Sequence, residues 1–346
     1  MIMELQHRLV RQAINIAVSK AMEDMKGNTR RGVRNLIDLG LLFSQSENQK
    51  WFFNTAKKII SNPKNPYNSL AARIVTDIDN DTVKKVGLNL GYNSLIYGAN
   101  KLRKRQAVIE CAVPWILAFD IYGSCSGTFH CLENLISEGQ ELGIYSYVFC
   151  LHEANDFVML CEIAKRFHEC LFVFQVPSTL ITKKAIETLS KKHNAVVSIQ
   201  MTDMSFRCEN TVNAYRILKQ NRCLYGFHVT YNEDNMTQIA TPEYIHSAIE
   251  LGNLFGVYVA DNGVSDTCKN AVYIFACKER GEKGQPLIAL EWFHDVRYVS
   301  EKILSGGGYM SIHLAEKAYG EYKKAKNALI ISLVEMIRSM QPCTSS

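Results

Sequence analysis

No apolar run in the 346 residues reaches the ~18 needed to cross a bilayer, so no membrane span is expected. The opening "MIMELQHRLVRQ" carries charges where a secretory signal needs an uninterrupted apolar centre, and the expected location is the cytoplasm. None of the eleven cysteines is spaced Cys-x-x-Cys, and eleven is an odd number. Reduced thiols packed as small hydrophobes are therefore expected in place of a disulfide framework. There is no internal repeat and no low-complexity tract.

What is present is a chain long enough for one large domain with an appendage, or for two. The net charge of +5 conceals an asymmetry: residues 1–110 hold 18 Lys and Arg against 9 Asp and Glu, whereas residues 111–346 hold 21 against 25. The basic excess is entirely N-terminal. It sits in a region of helical periodicity, seen in "LQHRLVRQAINIAVSKAMEDM" and "NQKWFFNTAKKII", with breaks at "GNTRRG" and "SNPKNPYNS".

From Val113 onward, short runs rich in β-branched and aromatic residues alternate with helical segments. The expected strands are 115–122, 144–150, 171–176, 195–201, 224–231 and 254–260. Strands apolar on both faces and separated by helices require a parallel sheet covered by helices. Six such units in sequence fit a full or partial (β/α) barrel, with an open doubly wound sheet as the alternative. The last segment, "AEKAYGEYKKAKNALIISLVEMIRSM", reads as an amphipathic helix. The expected architecture is thus α/β, with a helical region over 1–107, a barrel over 108–315 and a C-terminal helix and tail over 316–346.

In such a barrel the reactive face is built from loops after the C-terminal ends of the strands. The loop after the first strand, within "VPWILAFDIYGSCSGTFHCLENL", holds Cys125, His130 and Cys131. It resembles the corresponding loop of the radical SAM enzymes, where Cys-x-x-x-Cys-x-x-Cys binds three irons of a 4Fe-4S cluster and the fourth iron chelates S-adenosylmethionine. Cys125 occupies the position of the first ligand, but the next two positions are Phe129 and Leu132, neither of which can bind iron.

Further phrases carry the resemblance. "VFCLHEAND" stands where the family often has "GGEP" and keeps only Glu153; "VPSTLI" keeps Thr179, Leu180 and Ile181 of "TNGTLI"; "SIQM" keeps Ser198 and Ile199 of "SIEG". "GFHVTYNEDN" is similar to "GFSVTVTREN", with Gly226, Val229, Thr230 and Asn235 matching to within a small shift. "ILSGGGYMSIHLAEK" has the glycines of a later "GGC" phrase without its cysteine, so no second cluster carries over.

The resemblance implies the radical SAM type of partial barrel over about residues 108–315. The missing ligands imply a pseudoenzyme, acting as a binding or partner subunit and needing no cofactor. A fold that kept its ancestral role would use S-adenosylmethionine and a 4Fe-4S cluster. Glu153, Thr179, Ser198, Thr230 and Asn235 are then expected to line the mouth, with a protein partner such as an active enzyme or a peptide.

The alternative is an active enzyme with an atypical cluster or metal held by Cys125, His130 and Cys131, although their spacing is not a usual zinc pattern. A second alternative uses the basic tracts "NTRRGVRN" and "NKLRKRQ" to bind nucleic acid or an acidic partner. Nucleic acid is not the expected partner, because no known binding motif accompanies the charge.

"DIDND", Asp77–Asp81, lacks the glycine at the sixth position and the glutamate at the twelfth that a calcium loop needs, and reads as a helix N-cap. The triple glycine Gly306–Gly308 lacks a phosphate-loop lysine and reads as a barrel-closing turn.

Overall fold

Uninterrupted apolar runs have no polar face to give to water, so the strands of the second half can persist only where helices cover the sheet. That is the arrangement found in the computed structural model, which describes residues 2–44, 46–122, 126–201, 206–281, 283–304, 307–315 and 332–340. Eight strands form one sheet: β1 (Pro114–Tyr122), β2 (Ser146–Leu151), β3 (Leu171–Pro177), β4 (Ala195–Met201), β5 (Tyr225–Tyr231), β6 (Phe255–Ala260), β7 (Ile288–Glu291) and β8 (Gly307–Ala315).

All seven pairings are parallel and the order is β7-β6-β5-β4-β3-β2-β1-β8. A doubly wound sheet would reverse direction at a switch point. Here the strands run consecutively and β8 returns beside β1, as in a (β/α) barrel, so the doubly wound alternative is overturned. Among the described residues β7 and β8 do not pair, which leaves one seam and makes the barrel partial.

Six of these strands are those expected from the sequence, to within two residues at each end. The two others were not foreseen, because β7 is only four residues long and β8 begins at glycine. The turn expected at Gly306–Gly308 is corrected accordingly: Gly307 and Gly308 open β8, with Gly307 in register with Pro114, and Gly306 lies outside the described residues.

The N-terminal helices are α1 (Ile2–Gly27), α2 (Thr29–Phe43), α3 (Glu47–Ser61), α4 (Tyr67–Asp77), α5 (Asn80–Gly87) and α6 (Ala99–Ile109), with a π-helical stretch, Leu88–Gly98, joining the last two. Asp79 caps α5 by accepting from the Thr82 amide at 2.9 Å, as the N-cap reading of "DIDND" requires. No described helix is long and apolar enough to cross a membrane.

These helices close the N-terminal end of the barrel. Val86 of α5 packs with Leu171 of β3 and Val196 of β4. Asn89, fully buried, donates to the carbonyls of His168 and Cys170 ahead of β3, and Ser94 shares a 2.8 Å hydrogen bond with Ser146 at the start of β2. Each of these buried polar groups is satisfied across the junction, where an unpaired one would cost about 1–3 kcal/mol. With the lower end filled, the open end is the one at which the strands finish.

Between the strands run α7 (Ser126–Leu142), α8 (Ala154–Arg166), α9 (Lys183–Ser190), α10 (Glu209–Gln220), α11 (Met236–Ile239), α12 (Pro242–Glu250), α13 (Asp266–Glu279) and α14 (Trp292–Val299). Of the expected C-terminal helix only α15 (Leu333–Met340) lies within the described residues. Its Leu333 and Ile337 are buried in the main core, and the Leu333 amide donates to Glu138 of α7.

Candidate binding site at the barrel mouth

Strand parity decides which side chains can meet at the mouth. Tyr147, Phe174 and Phe227 face the helices: Tyr147 donates to the Ile136 carbonyl of α7, and the other two rings contact Phe157 and Tyr244. The alternate positions face the lumen. One cross-strand row of them is polar: His313 of β8 pairs in register with Asp120 of β1, which pairs with Cys150 of β2, then Gln175 of β3 and Ser198 of β4. Five adjacent strands each contribute one polar residue at the same level, near the C-terminal end.

Asp120 is the centre of this row. Its Oδ1 lies 2.7 Å from Nε2 of His152, just beyond β2, and its Oδ2 lies 3.0 Å from Nδ1 of His313. A carboxylate only accepts, so these two ring nitrogens carry the protons. In neutral rings His152 Nδ1 and His313 Nε2 are left as acceptors. Tyr122, half exposed at the end of β1, stacks on His152 with ring centroids 4.1 Å apart and planes within 9°. Partial burial, and then the charge of Asp120, raise the Tyr122 phenol above its ordinary range. The phenol therefore stays protonated near neutrality.

Beside the carboxylate, the Cys150 thiol donates to Gln175 Oε1 at 3.0 Å. Burial pushes its pKa up to about 12, with the Asp120 charge adding to the effect, so it remains a thiol at neutral pH. Farther round, Ser198 and His228 share a buried 3.0 Å hydrogen bond at Nδ1. Burial drives the His228 pKa down to about 4 and keeps that ring neutral. Chemically, the mouth offers one carboxylate, two imidazoles, a phenol and an exposed aromatic face. Such a set suits a ligand that brings hydrogen-bond donors.

The residues singled out from the sequence are spread around this row. Glu153 is exposed at the start of α8, and Thr179 is exposed in a single turn after β3. Ser198 is in the row itself. Thr230 is exposed near the end of β5, and Asn235 is turned back on the chain, donating to the Thr230 carbonyl at 3.0 Å and accepting from the Asn232 amide.

Cys125 lies outside the described residues. His130 and Cys131 are consecutive residues of α7 and diverge, one exposed and the other packed against the core with its thiol pKa raised by burial. Among the described residues the one set of three His, Cys, Asp or Glu whose ligand atoms fall within 4.8 Å of one another is Asp79, Asp81 and His193, far from the mouth at the barrel's lower end.

A 4Fe-4S cluster does not fit the described residues. Phe129 and Leu132, at the second and third ligand positions, are buried members of the core, and Cys150 is a protonated hydrogen-bond donor.

Sequence reasoning passed over Asp120, Tyr122 and His313. The available signal was the lone carboxylate in "WILAFDIY", because a charge within a strand otherwise apolar on both faces needs partners.

No family model matches the chain, and no curated protein does. Among solved structures, Streptococcus suis SuiB bound to S-adenosylmethionine aligns at 12% identity with a TM-score of 0.41, over 72% of this chain and 58% of that one. SuiB bound to precursor peptide SuiA gives 13% and 0.38, over 72% and 60%. The 2,3-dimethylmalate lyase of the PEP mutase/isocitrate lyase superfamily gives 12% and 0.36, over 65% and 84%. This chain thus spans less than two thirds of the SuiB chains in those two structures. Scores of this size describe a loosely shared frame and carry nothing about the site.

Proposed function

We propose that the chain is a relative of the radical SAM enzymes that works without an iron–sulfur cluster, as a binding subunit. In this reading residues 108–315 form the binding barrel and residues 1–107 its floor. The ligand is a donor-rich segment of a partner polypeptide, held at the mouth by Asp120, His152, His313 and the Tyr122 ring. Glu153, Thr179, Thr230 and Asn235 form the rim.

The observation that supports the reading is the pair of imidazole contacts on Asp120, at 2.7 Å and 3.0 Å, near the strand ends. A thiol held protonated beside the carboxylate is not a thiolate ligand, which favours hydrogen-bonded recognition over a cysteine-bound cluster. Anaerobic reconstitution with iron and sulfide, followed by metal and sulfide analysis, tests it. The expected result is background iron, and about four irons per chain would overturn the proposal.

A further inference from the structure

The opposite end of the molecule holds a second concave site, unrelated to the mouth. A cleft of about 880 Å³ opens between α1, α6 and the chain leading into β2 and β3. This volume is in the range that takes a small-molecule ligand. The cleft lies at the N-terminal ends of the strands, about 20 Å from the mouth by the rise of a six-residue strand.

Its charge is of one predominant sign. Arg8, Arg11, Lys101 and Arg166 line it, against Glu141 and Glu169. Arg11 lies 3.5 Å from Glu169, and Arg166 pairs with Glu133, so the cations are anchored from several elements. Glu169 is held below the ordinary carboxylate range chiefly by His7, with Arg11 adding to the effect. It therefore stays ionised and leaves the other cations in excess.

His7 lines the cleft but is only 6% exposed, and its ring nitrogens and the Arg11 Nε are sealed from solvent, so these atoms back the site and do not reach a ligand. Its Nε2 lies 3.7 Å from Glu169, and its ring stacks on Tyr97 with centroids 3.7 Å apart. An anion with several oxygens entering the cleft would meet the exposed Arg8 and the guanidinium of Arg11.

We infer that this cleft is a binding site for a small phosphorylated ligand, its phosphate oxygens taken by Arg8 and Arg11, with Lys101 and Arg166 at the edges. A concave cleft of this volume favours a small molecule over a nucleic-acid backbone, which needs an extended basic track.

Titration calorimetry of the full chain with inorganic pyrophosphate in low-salt buffer tests the inference, with a 20-nucleotide single-stranded DNA as the second arm. One-to-one pyrophosphate binding tighter than about 1 mM is expected, weakened roughly tenfold in R8Q, which alters an exposed side chain, and in R11Q. If R11Q fails to fold, R8Q and K101Q carry the test. Absence of pyrophosphate binding, equal affinity in wild type and R8Q, or DNA binding that pyrophosphate does not displace would each overturn the inference.

Discussion

Replacing His228 by glutamine should remove much of the acid sensitivity of this fold. The ring is buried, shares a hydrogen bond with Ser198, and has its pKa driven from 6.5 down to about 4 by burial. Below the unfolded value the unfolded chain takes up a proton that the folded chain refuses. Stability contributed by the neutral ring is therefore lost as pH falls from about 6.5 towards about 4, and the loss levels off beneath that. Between pH 7 and pH 5 this single group should cost about 2 kcal/mol. Glutamine keeps a hydrogen-bonding partner for Ser198 but does not titrate. Urea unfolding of wild type and H228Q at pH 7, 6 and 5 gives the comparison, since the other titrating groups are common to both. The wild type should lose about 2 kcal/mol more than the variant. Parallel curves across that range would mean that the ring costs nothing to protonate and is therefore solvated, not buried.

Three further outcomes follow from packing and hydrogen bonding. A Cβ at Gly98 would come within 2.5 Å of the Gly143 carbonyl and 2.7 Å of the Asn93 carbonyl, both backbone; G98A should destabilise by about 1–3 kcal/mol, read as a lower Tm. The fully buried Asn194 donates to the carbonyls of Ala164, Phe167 and Cys170; N194A should cost about 2 kcal/mol in urea unfolding, and an unchanged midpoint would contradict that network. In thiol labelling of the native protein, the exposed Cys208 should react at once, whereas Cys161, Cys170 and Cys223, buried with raised pKa values, should react only on unfolding.

The barrel was legible because each of its six middle strands is an apolar run long enough to mark itself, and the alternation with helices fixes parallel pairing. β7 escaped notice because "IALE" is four residues ending in a charge. β8 escaped because its opening glycines imitate a turn, and only its pairing with β1 shows otherwise. The site was half legible. Ser198 was named from its phrase, and its partner His228 stands in "GFHVTY", but their meeting depends on a neighbouring strand's register. His152 and His313 stand 32 and 193 residues from Asp120, so no local pattern joins them. The basic N-terminal excess was seen as a count. That Arg8, Arg11 and Lys101 of that excess line one cleft needed the docking of α1 against the barrel.

The proposed loss of the cluster is open to a direct assay: the anaerobically reconstituted protein is incubated with S-adenosylmethionine and a low-potential reductant, and 5′-deoxyadenosine is measured. None above a protein-free control is expected. Deoxyadenosine formed in proportion to protein, and abolished by air, would overturn the proposed function.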